Sequence, residues 1–438
     1  MLTKLVSPTW AMLEYAWYPL LVFMVTPYFL NTLGPQKYGH WMLLTATVGF
    51  GTILNVGTGA ATIKRVSAGQ GRADGGDVER VIRSSLAIAL VGGGLLAALI
   101  FVVFWLAGDT FFQKMGDPSL VRLTGSAAAL LAWIEQTDNV FASALKGAEQ
   151  FGRSAGIEMG SKTIQIFAVV LAVSAWGSVV ALYAALVLVA VTRLIAKAWI
   201  VRRFLAVSSL RPTFANVADI LRYAKWGWLQ GVGGLFFGIA DRLLVGSFLG
   251  AASLAHYSVA SQLAQQIHVL SAAGLSVLFP KVSRKLEGDA NFSLWRITKL
   301  TMAGNFIASG ALALVLLIFG RQILSRWLGE AGAEASTEVL WYLTIAYWLL
   351  AINVVPHFIL LGVGRMRFVA VSNLAAGVVL LIVMFVLVQP YGLVGIGVAR
   401  IVYGAIILVN CFSLIEYLWR KRAEFAAKTS TKSSVEGI

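Results

Sequence analysis

The chain has 438 residues, of which 58% are hydrophobic and 13% charged, with a net charge of +15 and a mean hydropathy of +0.80. Soluble domains carry about 25% charged residues, so this composition excludes a water-soluble globular protein and suits a chain whose solvent is a bilayer. One cysteine, Cys411, excludes an internal disulfide and any cysteine-cluster metal site.

Apolar runs near 14–32, 38–61, 84–106, 124–146, 156–175 and 177–199 predict six transmembrane helices. Each is close to the ~20 residues that cross ~30 Å of hydrocarbon. No small-residue cleavage site follows the first run, which reads as a span rather than a signal peptide. The charged, Gly-rich stretch 62–83 reads as a flexible surface loop, and 107–123 as a short outer loop. Residues 201–225 form the longest basic segment. Six further spans are predicted near 226–250, 254–279, 300–320, 338–361, 368–388 and 391–415, with an outer loop at 321–337. The end of the chain is basic, then rich in Ser and Thr, and reads as a disordered tail able to touch the anionic inner leaflet. Lipid offers backbone groups no partners, so the spans must be helices, and none alternates as a barrel strand would.

The expected fold is an all-α polytopic membrane protein of about twelve helices in two six-helix bundles, 1–200 and 226–418, joined by the 201–225 linker and followed by a 419–438 tail. Of the 35 basic residues, 26 fall in segments on one side of this topology and 5 on the other. The positive-inside rule then places both termini in the cytoplasm and explains the net charge without a nucleic-acid partner. The halves echo each other: Leu33-Gly34 recurs as Leu249-Gly250 at an offset of 216, and Gly147/Gly362 and Gly177/Gly392 both lie 215 apart. Parallel repeats of this kind can rock about a central cleft, which is the geometry of an alternating-access transporter.

Ionisable residues inside spans are expensive and therefore informative. Glu135 and Asp138, three apart in the fourth span, share a face and read as an ion-coupling pair or as braces for a buried cation such as Arg242 or Arg400. Lys162 and Arg193 lie near span ends, where snorkelling accounts for them. Asp241 and Arg242 are adjacent and cannot share a helix face, so Arg242 can look into a cavity while Asp241 braces a neighbour. Gln262 and Gln266, one turn apart in the eighth span, suit sugar hydroxyls or helix–helix hydrogen bonds. Arg400 is too deep to snorkel and must face a cavity or a partner. Four dispersed histidines have no metal-ligand spacing, no phosphate-binding loop is present, and no catalytic constellation stands out. No cofactor and no enzymatic chemistry are expected.

Three stretches carry a resemblance. The first is Leu33-Gly-Pro-Gln-Lys-Tyr-Gly-His-Trp41 with Asn55–Arg65, and the second Asp241-Arg-Leu-Leu-Val-Gly-Ser-Phe-Leu-Gly250 with Tyr257-Ser-Val-Ala260. The third is Gly362-Val-Gly-Arg365 with Pro390-Tyr-Gly-Leu-Val-Gly-Ile-Gly397. In this order the chain resembles the polysaccharide flippases of the multidrug/oligosaccharidyl-lipid/polysaccharide (MOP) exporter superfamily, although Asn31 and Thr32 stand where that family usually carries an arginine. The resemblance implies a MATE-like alternating-access fold in the inner membrane and flipping of undecaprenyl-diphosphate-linked oligosaccharide repeat units for surface polysaccharide. It implies H+ or Na+ as coupling ion, with membrane lipids, a polymerase and glycosyltransferases as neighbours. The alternative within the superfamily is a multidrug/cation antiporter, for which an acidic or aromatic pocket is expected.

Overall fold

Backbone groups in hydrocarbon must bond within their own segment, and all regular structure among the described residues is helical. The computed structural model describes residues 2–71, 75–222, 224, 228, 239–275, 278, 282 and 294–420. The N-terminal helices are α1 (Leu2–Phe50), α2 (Thr52–Gly71), α3 (Gly75–Val102), α4 (Gly108–Phe111), α5 (Pro118–Gly147), α6 (Phe151–Trp176) and α7 (Val179–Phe204). The C-terminal ones are α8 (Ala240–Leu249), α9 (Ala251–Leu275), α10 (Leu294–Gly362) and α11 (Met366–Ile407). Most of the expected seventh span before α8, the end of the eighth, the loop carrying Lys281, Arg284 and Lys285, and the tail beyond Arg420 lie outside the described residues.

Several helices are too long for one crossing, and glycine divides them. α10 would reach about 100 Å if straight, but Gly329 at φ 71° interrupts it. Asn305 donates to the Ala351 carbonyl at 2.7 Å, and a Cβ on Gly310 or Gly320 would touch Trp348 or Leu340. These pairs are nested about Gly329, so α10 is an antiparallel hairpin. The same argument holds for α11 about Gly392, where Ser372 donates to Asn410 at 3.0 Å. It holds for α1 about Gly34, where Phe29 meets Trp41 edge-on at 4.8 Å. It holds again at Gly250, where Tyr257 on α9 donates to Asp241 on α8. Positive φ is strained for any residue with a Cβ. The glycine pairs that align in sequence share a positive φ, Gly34 and Gly250 at 75° and 89° and Gly177 and Gly392 at 55° and 56°, and only the first pair also shares its ψ.

Helix now replaces two expected loops. The 321–337 stretch is helical apart from the Gly329 break, and α2 and α3 extend to within residues 72–74 of each other, which lie outside the described residues. The polar character of both stretches marks helix ends protruding from the bilayer rather than unstructured chain. Pro118 opens α5 at its first turn, with Asp117 as N-cap accepting from the Ser119 amide at 2.8 Å.

The linker residues 205–222 lie against the start of α3. Ser208 donates to Glu79 at 2.7 Å through its hydroxyl and at 2.9 Å through its amide, and those bonds hold the Glu79 carboxyl below the usual range. Arg83 Nε donates to the Arg211 carbonyl at 2.7 Å, and the Asn216 amide donates to Ser84 Oγ at 3.3 Å.

N- and C-terminal helices meet chiefly between α1 and α9. A Cβ on Gly39 would fall 2.0 Å from the Ala251 carbonyl oxygen, so only glycine permits that approach. At the same end Gln36 and His40 engage the Met115 carbonyl, and Phe23 packs on Trp327 at 4.5 Å. Leu95, Leu99, Phe167, Leu171, Phe385 and Phe412 point outward and exposed, as a lipid-facing surface requires. Among the described residues, five helical segments are long and apolar enough to cross a membrane: Gly75–Phe111, Phe151–Trp176, Val179–Phe204, Leu294–Gly362 and Met366–Arg420.

Candidate functional site

Two buried charge clusters lie inside the helices. The first joins α5, α6 and α7. Glu135 and Asp138 share one face of α5, Arg193 and Lys197 are one turn apart on α7, and Glu158 reaches in from α6. Arg193 contacts Glu135 at 2.6 Å, Asp138 at 3.3 Å and Glu158 at 3.4 Å. Lys197 bonds Asp138 and Glu158, each at 2.6 Å. The Arg193 and Lys197 side chains are only 2% and 1% exposed. Neither snorkels. Both are held inside by three carboxylates, a pairing that removes most of the cost of burying charge. With all five ionised, the acids exceed the bases by one. Asp138 Oδ1 is buried without a hydrogen-bond partner among the described residues.

A cavity of about 300 Å³ adjoins this cluster, lined by Tyr18, Trp41, Asn55, Glu135, Lys162 and Gln165 among others. Glu135 is the part of the cluster that reaches the cavity, its side chain 31% exposed. Lys162 lies in the cavity wall with Nζ 4.7 Å from the centre of the Tyr18 ring, a cation–π contact rather than a reach to water.

The second cluster ties α8 to α11. Asp241 is fully buried and accepts from both Arg400 and Tyr257. The Arg400 guanidinium, itself 1% exposed, lies 5.6 Å over the Tyr347 ring. Arg400 therefore faces a partner, the other side of the choice its depth left open. The buried cations that Glu135 and Asp138 brace are Arg193 and Lys197, not Arg242 or Arg400.

Arg242 is the exception. It is half-buried, with Nε enclosed and without a hydrogen-bond partner among the described residues. Tyr18 and Tyr38 lie within its electrostatic reach, which puts it on the side of α8 that faces α1. Gln262 spans the same seam: Nε2 donates to the Tyr38 hydroxyl at 3.1 Å and Oε1 accepts from Thr26 at 3.0 Å. Gln266 is half-buried and turns back to the Gln262 carbonyl at 3.1 Å. Glu158 and Lys197 were missed from sequence. Each lies one helical turn from a residue already singled out, Lys162 and Arg193, and that spacing was the available signal. No group of His, Cys, Asp and Glu among the described residues has metal-binding geometry.

The comparisons agree with this architecture. A family model described as polysaccharide biosynthesis protein matches residues 9–285. A Shigella flexneri protein named for O-antigen transport is 22% identical, covering 92% of this chain and 96% of its own length. An inward-facing multidrug resistance MATE transporter of the MOP superfamily superposes with a TM-score of 0.74 at 18% identity, covering 96% of this chain and 99% of that one. The lipid II flippase MurJ in an inward closed conformation also gives 0.74, at 11% identity, covering 92% and 86%. The fold is thus the polytopic helical one shared by these exporters.

Proposed function

The chain belongs to the polysaccharide biosynthesis protein family, and we propose that it carries a lipid-linked sugar across the membrane, flipping undecaprenyl-diphosphate-linked oligosaccharide repeat units from the inner to the outer leaflet. It is a transporter and performs no covalent chemistry. The observation that carries this reading is Arg242, a cation at the seam between N- and C-terminal helices with no ion pair of its own among the described residues. A diphosphate bears charge that hydrocarbon rejects. A guanidinium with no ion pair of its own among the described residues, within electrostatic reach of Tyr18 in the cavity wall, lowers that barrier, and its fork suits phosphate oxygens.

Arg242→Glu is expected to abolish lipid-linked oligosaccharide flipping while leaving membrane insertion and thermal stability near wild type. Deletion of the gene should accumulate the lipid-linked intermediate on the cytoplasmic side, and only the intact gene should clear it. Normal flipping by well-inserted Arg242→Glu would overturn the role. The drug-exporter reading has one observation in its favour, since Glu135, Tyr18 and Trp41 give the cavity an acidic, aromatic wall. Unchanged intermediates with raised sensitivity to cationic dyes would make that the function.

Twelve spans in two six-helix bundles, with both termini cytoplasmic, complete the proposal. The helix ends at Lys64, Arg83, Arg153, Arg202 and Arg365 then lie inside, and the Gly39–Ala251 contact closes the outer end. Topology reporters placed in 205–222 and after Arg420 should both read cytoplasm. A periplasmic signal from the linker would end the six-plus-six arrangement.

Glu135 and Asp138 are proposed to couple transport to a cation gradient. Their cluster sets three carboxylates against two cations, with Lys162 of the cavity wall in electrostatic reach of Glu135 and Glu158, so a proton or a monovalent cation would enter in exchange for a rearranged Arg193, Lys197 or Lys162. In reconstituted vesicles, Glu135→Gln with Asp138→Asn should remove the response of flipping to an imposed proton or sodium gradient. An unchanged response with a lowered melting temperature would leave the pair as braces only.

A further inference from the structure

The junction between the third and fourth spans of each half carries a glycine of positive φ, Gly116 in one half and Gly329 in the other, 213 residues apart. Beside each glycine one large apolar side chain crosses to the opposite half. Met115 immediately precedes Gly116 and is fully buried. A Cβ on Gly246 of α8 would lie 3.5 Å from its Sδ, so the thioether rests against α8. Trp327 stands two residues before Gly329 on α10, and its ring meets Phe23 of α1 edge-on at 4.5 Å. Phe23 and Gly246 belong to the first span of their respective halves. The two contacts are therefore reciprocal.

Neither side chain rides on a loose segment. Asp109 pairs with Arg122 of α5, whose guanidinium also lies 5.7 Å over the Trp105 ring, and Asp117 caps α5. The turn that carries Met115 is thus pinned to the N-terminal helices. Gln36 donates to the Met115 carbonyl at 3.0 Å, and His40 Nε2 lies 3.1 Å from the same oxygen. A Cβ on Gly250 would fall 2.3 Å from the Lys114 carbonyl oxygen, so the turn packs directly on the break between α8 and α9. Trp327 lies within the helical part of α10 and moves with that hairpin. Apolar burial between the two sets of helices favours the arrangement in which they meet.

We propose that Met115 and Trp327 are reciprocal wedges that hold the outer end shut, and that both must withdraw before substrate can leave toward the outer leaflet. The inference rests on the flippase reading and its topology, and adds to it the residues on which the outward step turns. The Met115 turn meets α8 and its break at Gly246 and Gly250, positions with no side chain to interlock, so it can lift away without repacking. Burial of one methionine shifts such an equilibrium about tenfold or more.

The test uses the full-length protein in right-side-out vesicles, with Cys411→Ala removing the native thiol and Thr45→Cys in the polar cavity wall as reporter. The probe is a membrane-impermeant methanethiosulfonate added outside. Met115→Ala and Trp327→Ala should each raise the labelling rate about tenfold. Met115→Leu keeps the volume and should leave the rate unchanged. Unchanged rates in both alanine variants overturn the proposal. A gain seen only with reagent inside also overturns it, by placing the wedges at the cytoplasmic end. A second measurement does not depend on truncation. Met115→Cys with Gly246→Cys, in the Cys411→Ala background and bridged by a reducible bifunctional thiosulfonate, should stop flipping, and reduction should restore it. Flipping that continues with the bridge in place overturns the wedge. No flipping in the unbridged parent, with labelling responding as expected, sinks the flippase reading and leaves the wedges supported.

Discussion

Asp241→Ala is expected to cost about 3–5 kcal/mol of stability, the scale for stranding one member of a buried ion pair. Asp241 accepts from Arg400 and Tyr257 and is wholly enclosed. Its removal leaves the Arg400 guanidinium, 1% exposed, with its carboxylate gone. The cation–π contact with Tyr347 offsets about 2 kcal/mol of this. The measurement is thermal unfolding in detergent, together with the amount of protein retained in membranes. Asp241→Leu combined with Arg400→Met should recover most of the loss, because the cost is the unpaired charge rather than the missing bond. A single Asp241→Ala variant as stable as wild type would remove the structural role.

Lys197→Met is expected to be of the same order, about 3–5 kcal/mol. Lys197 is shared by Asp138 and Glu158, each at 2.6 Å, so its loss leaves Arg193 as the one cation in direct contact with the three carboxylates among the described residues. Like charges in low dielectric repel strongly. Adding Asp138→Asn should restore part of the stability, and the interaction energy in that double-mutant cycle should be at least 1 kcal/mol, within the range found for groups in one network. Additive losses would show that the contacts do not act as a unit. The same melting series on Lys162→Met should show a much smaller loss, since Lys162 sits in a cavity wall over Tyr18.

Much of this architecture is legible one residue at a time. Hydropathy locates the apolar runs because lipid demands them everywhere, and the Gly34/Gly250 and Gly177/Gly392 alignments pick out residues that share a positive φ. Glu135 and Asp138 are recognisable as a pair because i and i+3 meet on any helix. Partner identity is not legible that way. Which of Arg193, Arg242 or Arg400 faces Glu135 depends on the rotation and order of helices, and periodicity within one helix carries no information about its neighbour. Lys197 illustrates the difficulty at a boundary: near the basic Arg202-Arg203 end of α7 it counts as a cytoplasmic charge, yet packing of α5 and α6 buries it completely. The hairpin of α10 shows the opposite error. Polar residues around Gly329 suggest a loop, whereas helices extend past the hydrocarbon on both sides of one glycine.

The span of 159 residues between Asp241 and Arg400 has a consequence for how the protein is made. At ~5–20 residues per second, roughly ten to thirty seconds pass between synthesis of the acid and synthesis of its counter-ion. During that interval α8 enters the bilayer with a carboxyl that has the Tyr257 hydroxyl and the neighbouring Arg242 beside it, but not its Arg400 partner. The half-built chain therefore has to keep that group protonated, or shelter it against the insertion machinery, until its last helix arrives. The pair that ties α8 to α11 can therefore close only once α11 is in place.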